Sequence, residues 1–331
     1  MYNTISVCIP VYNAEKSLRA ALDSVIQAAL GFEGWEIIIV NDGSSGRDEN
    51  GFECKKIVKK FRRANRLSKR QVIYLEHRSN LGLLEARRNA VMSSSGKYLL
   101  ILDSDDKLAP GALKVLYETA ETNQADIVQG GVEVFTNEST QANEKRRLAF
   151  QKNANKLVAG PLCNSEILNS YLVKKNHTGF LWAKLFRRDL YLRALSHIPF
   201  TRCVFAEDLL QYFFICLEAK RYYGIQTPVY EYFVDTGISS FAKITSLERW
   251  EKICSTANVF TIIFTEIKNI ELSLEQVEAI RFLSRSYLAN NLKQLQEAVV
   301  PELQDQARSL LCDYWGEDFV ELIEKHMKAS D

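Results

Sequence analysis

Short apolar runs alternate with helix-period segments along the first third of this chain. Ile5 to Ile9, Trp35 to Val40, Val72 to Leu75 and Leu99 to Leu102 are too short for amphipathic helices and are bounded by turn residues, so they predict buried strands. Between them, Leu18, Leu22, Val25 and Ile26 recur at helical spacing, and Leu83 to Met92 reads as a further helix. Strand, helix, strand, helix in this rhythm predicts right-handed crossovers and a mostly parallel sheet. The loops after the strands then gather on one edge, where open α/β sheets bind ligands.

Carboxylates arrive at that edge. The run Leu99 to Leu102 leads into Asp103-Ser-Asp-Asp106, and Trp35 to Val40 leads into Asn41-Asp42-Gly43-Ser44-Ser45. Close-set hard oxygen donors suit Mg²⁺ or Mn²⁺. An acidic turn that caps the next helix is the competing reading, because Pro110-Gly111 precedes the periodic Leu113, Leu116 and Tyr117. On the residues alone both stay open.

Further along, Cys54 to Arg70 holds nine Lys or Arg and no acid, with Ile57, Val58 and Phe61 as a short apolar face. This predicts a basic amphipathic helix, either a solvated connector or a peripheral contact with an anionic membrane. Ile127-Val128 begins a strand that continues through Val132 and Val134, and 136–156 reads as a polar surface insertion without a period. Glu207-Asp208 precedes the apolar helix Leu209 to Ala219, a position suited to the helix dipole. Pro228 to Phe233 is a strand and Gly237 to Ser240 a loop, after which helices are expected over 245–268, 274–296, 301–312 and 318–327.

Composition narrows the class. The 331 residues carry a net charge of +1, which gives no global case for a nucleic-acid partner. Seven scattered cysteines without CxxC spacing, and four isolated histidines, argue for reduced thiols and against a zinc site. No stretch reaches about 18 uncharged apolar residues and no export signal opens the chain, so a cytoplasmic protein is expected.

Taken in order, Ser-Val-Cys-Ile-Pro-Val-Tyr-Asn13, Val-Asn-Asp-Gly-Ser-Ser45, Asn80-Leu-Gly-Leu-Leu-Glu-Ala-Arg-Arg-Asn89, Leu-Asp-Ser-Asp-Asp106, Trp182-Ala-Lys-Leu-Phe-Arg-Arg-Asp189 and Ala-Glu-Asp-Leu-Leu210 resemble the family 2 glycosyltransferases of GT-A fold over roughly residues 5–240. The resemblance implies a Rossmann-like, mostly parallel sheet flanked by helices, with 1–130 binding nucleotide sugar and 131–240 the acceptor. Residues 241–331 would form an all-helical extension, able to pair copies of the chain.

The same resemblance implies an inverting transfer from a nucleoside-diphosphate sugar, expected to be a UDP-sugar, to a glycan, lipid-linked or teichoic-acid-like acceptor. Pro10, Tyr12, Asn13 and Asp42 would hold nucleobase and ribose, with Asp103 near the ribose and metal, Ser104 also binding the nucleotide sugar, and Arg87 meeting the diphosphate. Asp103 and Asp105 would bind Mn²⁺ or Mg²⁺, Asp208 would act as base, and Glu207 would orient it. Trp182 and Lys184 are weaker acceptor-site candidates. Two departures stand out: Gly46 occupies a place where relatives commonly carry Asp, and Val-Asp-Thr-Gly-Ile-Ser-Ser240 lacks a basic residue before its loop. A nicotinamide enzyme would need GxGxxG after the first strand, where this chain has Pro-Val-Tyr-Asn. A non-catalytic nucleotide-sugar-binding scaffold with the same fold is the remaining alternative.

Overall fold

The computed structural model describes residues 4–136, 140–201, 203–234 and 243–330. It divides into two compact units, Met1–His197 with Gln211–Gly237, and Ile198–Leu210 with Ile238–Asp331. The expected boundary at 240/241 and the loop Gly237 to Ser240 lie outside the described residues.

The first unit is an α/β sheet structure. Its elements are β1 (Ile5–Val11), α1 (Glu15–Ala28), β2 (Trp35–Asn41), α2 (Cys54–Ala64), β3 (Val72–Glu76), α3 (Leu83–Ser93), β4 (Tyr98–Ile101), β5 (Lys107–Leu108), α4 (Ala112–Asn123), β6 (Ile127–Phe135), α5 (Gln141–Ala154), β7 (Gly160–Cys163), α6 (Ser165–Leu172), β8 (Lys184–Arg187) and α7 (Arg188–Ser196). Then come α8 (Glu207–Glu218), whose first turn belongs to the second unit, and β9 (Arg221–Phe233). The sheet order is β3-β2-β1-β4-β8-β6-β9-β5, with β7 on β9. β1 runs parallel to β2 and β4; two successive antiparallel pairings through β8 return β6 to that direction, and β9 follows it. The C-terminal ends of β1, β2, β3, β4, β6 and β9 therefore share one edge.

Every residue of β1 and β4 is buried, as their apolar runs require. Pro10 decides where their ladder stops. The Leu102 amide donates to the Cys8 carbonyl at 3.0 Å, and the next rung would need an N–H from residue 10, which proline lacks. The chain after Leu102 is thereby released as the acidic turn. Pro10 itself is buried in the strand, so it shapes the edge without offering a surface to a ligand.

Two helices depart from the sequence-based expectation. α2 buries Ile57, Val58 and Phe61 in the core, so no apolar face remains to enter a bilayer, and only its basic face points outward. The polar stretch expected as a patternless insertion forms α5, which is anchored by side chains on the open flank of β6. Gln151 accepts from Val134 N at 2.8 Å and donates to Val132 O at 2.7 Å, while Asn155 bonds both backbone groups of Val132. Those amides satisfy strand groups that β8 leaves unpaired, which apolar periodicity does not report.

In the second unit the expected long helix is interrupted at Ser255, whose hydroxyl donates to Lys252 O at 2.6 Å, giving α9 (Leu247–Cys254) and α10 (Thr256–Glu266). Ahead of α11 (Leu274–Glu297), Ser273 and Gln276 form a capping box. With α12 (Gln304–Trp315) and α13 (Glu317–Ser330) these helices bury Trp250, Leu288, Leu292, Leu311 and Val320 in their own core. No described helix is long and apolar enough to cross a membrane.

Candidate active site

At the C-terminal edge of the sheet, the loops after β1 and β2 are laced together. Asn13, at φ +51°, accepts from Ser45 N at 3.0 Å, and its own amide donates to Ser44 Oγ at 2.9 Å. Tyr12 beside it is 46% exposed, a ring open to a ligand. Gly43 is required here: its φ is +72°, and a Cβ would stand 2.7 Å from the Ser79 carbonyl carbon.

Asp42 sits at the expected strand end, yet its side chain is only 3% exposed. Its Oδ1 takes His77 Nδ1 at 2.6 Å and Leu81 N at 2.8 Å, and Oδ2 takes Gly82 N at 2.9 Å. The carboxylate is therefore committed to ordering the loop before α3, which corrects the expectation of an open acceptor for base or ribose. His77, dismissed on sequence as isolated, is the bridge. Its Nε2 lies 2.8 Å from Asn89 Nδ2, so a proton on Nδ1 serves Asp42 while Nε2 accepts from the amide. A histidine two residues past a strand, facing an acid two past the neighbouring strand, was the signal available in the sequence.

The departure at Gly46 has a physical cause. A Cβ there would meet Glu15 Oε2 at 2.2 Å, and Glu15 is buried at the first turn of α1. That carboxylate occupies the space a side chain at position 46 would need.

After β4 the acidic turn splits into two kinds of group. The Asp103 side chain is 25% exposed and accepts from Arg87 Nη2 at 3.2 Å, and Arg87, on α3, is itself 1% exposed. Asp105 is half-buried and Ser104 is buried. Asp106 turns inward, its Oδ2 accepting from the Tyr230 hydroxyl at 2.9 Å and its Oδ1 from Phe233 N at 3.0 Å. Burial, and then the charges of Asp103 and Asp105, push its carboxyl up to about 8. Asp106 thus pins β9 beneath the turn. It does not cap α4, whose N-cap is Gly111 without any side-chain cap bond.

The weaker acceptor candidates are corrected. Trp182 is 4% exposed and stacks on Phe180 at 4.5 Å, Tyr230 at 5.1 Å and Tyr232 at 5.2 Å, so it offers no open face. Lys184 is wholly buried, donating to Thr178 Oγ1 at 3.0 Å and the Phe180 carbonyl at 2.5 Å. Aromatic surface is available instead from Phe135, 37% exposed at the end of β6, which stacks on Phe233 at 5.5 Å with Lys107 Nζ 4.8 Å from the latter ring.

Within the second unit, Glu207 and Asp208 open α8, half-buried, directly after Ala206 at φ +64°. A positive φ at a non-glycine residue is strained backbone of the kind that collects at functional sites. Both carboxylates help, after burial, to push the Tyr287 phenol up to about 12.

Two half-exposed carboxylates at a strand end fit a hard divalent ion that takes its remaining oxygens from a diphosphate and water. Among the described residues no three His, Cys, Asp or Glu side chains form a ready-made cage. The sequence model described as glycosyl transferase family 2 matches residues 6–193. The chain belongs to glycosyl transferase family 2.

Among relatives, the uncharacterized glycosyltransferase EpsJ of Bacillus subtilis is 29% identical over 209 residues, 63% of this chain and 54% of that protein. A poly(ribitol-phosphate) beta-glucosyltransferase of Bacillus spizizenii is 35% identical over 127 residues, 38% of this chain and 18% of its own length. The chain spans less than two thirds of the length of these relatives. S. aureus TarS 1-349, solved in complex with UDP-GlcNAc, has the same fold, with a TM-score of 0.57 over 98% of this chain and 92% of that one at 19% identity. The fold expected from sequence, a GT-A sheet with a helical C-terminal region, is the one observed.

Proposed function

We propose that this family 2 chain transfers a sugar from a nucleoside-diphosphate sugar, with UDP as the nucleotide, to a hydroxyl of a glycan, lipid-linked or teichoic-acid-like acceptor, with inversion. The observation that carries the reading is the pairing of buried Arg87 with half-exposed Asp103 at the C-terminal edge of the central parallel strands. Tyr12 offers its ring to the nucleobase, and Asn13 holds the loop under it. Asp103 and Asp105 would hold Mn²⁺ or Mg²⁺, and such an ion, when bound, neutralises charge on the leaving diphosphate. Arg87 pairs with Asp103 and orients it.

Asp208 is the proposed base. The acceptor oxygen attacks the anomeric carbon as the bond to the diphosphate breaks; the nucleotide leaves with that electron pair, and the hydroxyl proton passes to the Asp208 carboxylate. Glu207 orients its neighbour. A glycan or polyol-phosphate acceptor is supported by the B. spizizenii relative, a poly(ribitol-phosphate) beta-glucosyltransferase. The outward basic face of α2, Lys55 to Arg63, would meet an anionic surface by charge alone, so co-sedimentation with anionic vesicles should vanish as salt rises. Asp208→Asn should abolish sugar transfer while UDP affinity stays within about twofold of wild type; retained turnover would remove Asp208 from the mechanism.

A further inference from the structure

The register of α5 on β6 is set by three side chains. Arg147 Nη1 donates to Val134 O at 3.2 Å, Gln151 reaches Val134 and Val132, and Asn155 reaches Val132. Ascending residue numbers on the helix meet descending numbers on the strand, so α5 runs antiparallel to β6. Its N-terminal turns consequently lie toward the edge where β4 delivers Asp103 and Asp105.

Phe150 fixes which face of α5 looks at the sheet, since its ring stacks on Tyr232 with centroids 4.5 Å apart. Residues four apart share a helix face, which puts Arg146 over the same face, about 6 Å nearer the edge. Electrostatics agree with that placement: the Tyr232 phenol is raised by burial and then by Asp106, Asp103 and Asp105, and Arg146 opposes them. Glu144, the acid nearest in sequence, is taken by Arg147 at 2.7 and 2.8 Å. Among the described residues Arg146 has no ion pair or hydrogen bond, and it is exposed. A guanidinium on the part of α5 that lies toward the edge where Asp103 and Asp105 emerge presents a planar fork that matches phosphate oxygens.

We propose that Arg146, on the helix formed by the polar stretch 141–154, binds a phosphate group of the substrate at the Asp103–Asp105 edge. The inference rests on the nucleotide-sugar reading above and adds a residue to it. Phosphate chemistry has two sources here, the diphosphate of the donor and a phosphate of the acceptor.

The test is calorimetry on the full chain with Mn²⁺, using wild type, Arg146→Gln and Arg146→Lys, against UDP, uridine and glycerol 3-phosphate. If the donor supplies the phosphate, Arg146→Gln weakens UDP at least about tenfold, leaves uridine unchanged, and Arg146→Lys recovers part of the loss. If the acceptor supplies it, UDP is unchanged while glycerol 3-phosphate binding falls by a similar factor. Equal affinities of Arg146→Gln and wild type for both phosphates overturn the assignment of Arg146 and leave the proposed function standing. A wild-type protein that binds neither phosphate overturns both. An unchanged melting temperature in Arg146→Gln is expected from its exposure and separates ligand contact from loss of fold.

Discussion

His177 should make the catalytic unit acid-sensitive. Its Nδ1 lies 2.8 Å from Ser170 Oγ, and that hydroxyl already donates to Asn176 Oδ1 at 2.7 Å, so the imidazole proton sits on Nδ1. The other nitrogen, Nε2, is buried with no hydrogen-bond partner. Protonating it would bury a cation against the Tyr222 ring, 4.9 Å away, and within the field of Lys184. Burial first and Lys184 second hold this imidazole down at about 3. An unfolded histidine titrates near ~6.5, so below that pH the unfolded chain takes up a proton that the folded one refuses. The contribution to stability is fully present well above pH ~6.5 and is lost as the pH drops, by about 2 kcal/mol between pH 6.5 and 4.5 from this group alone. His177→Phe keeps the ring contacts and deletes the titration. Urea unfolding of both proteins at pH 7 and 4.5 reads the difference, because all other groups titrate alike in the two. The stability of the variant relative to wild type should rise by about 2–3 kcal/mol between pH 7 and pH 4.5. Parallel pH profiles would refute the reasoning.

Three further outcomes follow from the geometry. Gly46→Asp places a side chain against Glu15 and should lower both the melting temperature and UDP affinity. Adding Glu15→Ala should restore much of each, a coupling of at least about 1 kcal/mol in a double-mutant cycle. Trp182→Ala should cost about 3–5 kcal/mol in urea unfolding, as removal of a stacked core indole does, with no selective rise in acceptor KM. Gly43→Ala forces a Cβ into the backbone of the 79–80 loop at positive φ; a stability loss of about 1–3 kcal/mol with weakened UDP binding is expected in melting and calorimetry.

What could be read in the sequence was the delivery of groups to an edge, because an apolar run of strand length followed by a polar turn is a local pattern. Asp103 and Asp105 stand where that pattern put them. Orientation was not local. Asp42 and Asp106 have the same surroundings in sequence as Asp103, yet both turn inward, one because the β3–α3 loop supplies three donors and the other because Tyr230 and Phe233 arrive from about 125 residues away. Trp182 and Lys184 were misjudged for the same reason, since their burial depends on Tyr230, Tyr232 and Thr178. Helix α5 escaped because its hold on the sheet is made of amides on an open strand flank, and hydrophobic period is blind to that bond type. The Gly46 departure became intelligible once Glu15 was seen in its place.

The central claim is that Asp103 and Asp105 build a metal-assisted nucleotide-sugar site. Calorimetric titration of UDP into wild type and Asp105→Asn, with Mn²⁺ and with chelator, tests it most directly. The account predicts binding by wild type that weakens at least about tenfold without metal, and an Asp105→Asn variant that is equally weak under both conditions. UDP affinity that is the same with Mn²⁺ and with chelator, and the same in Asp105→Asn, would contradict it.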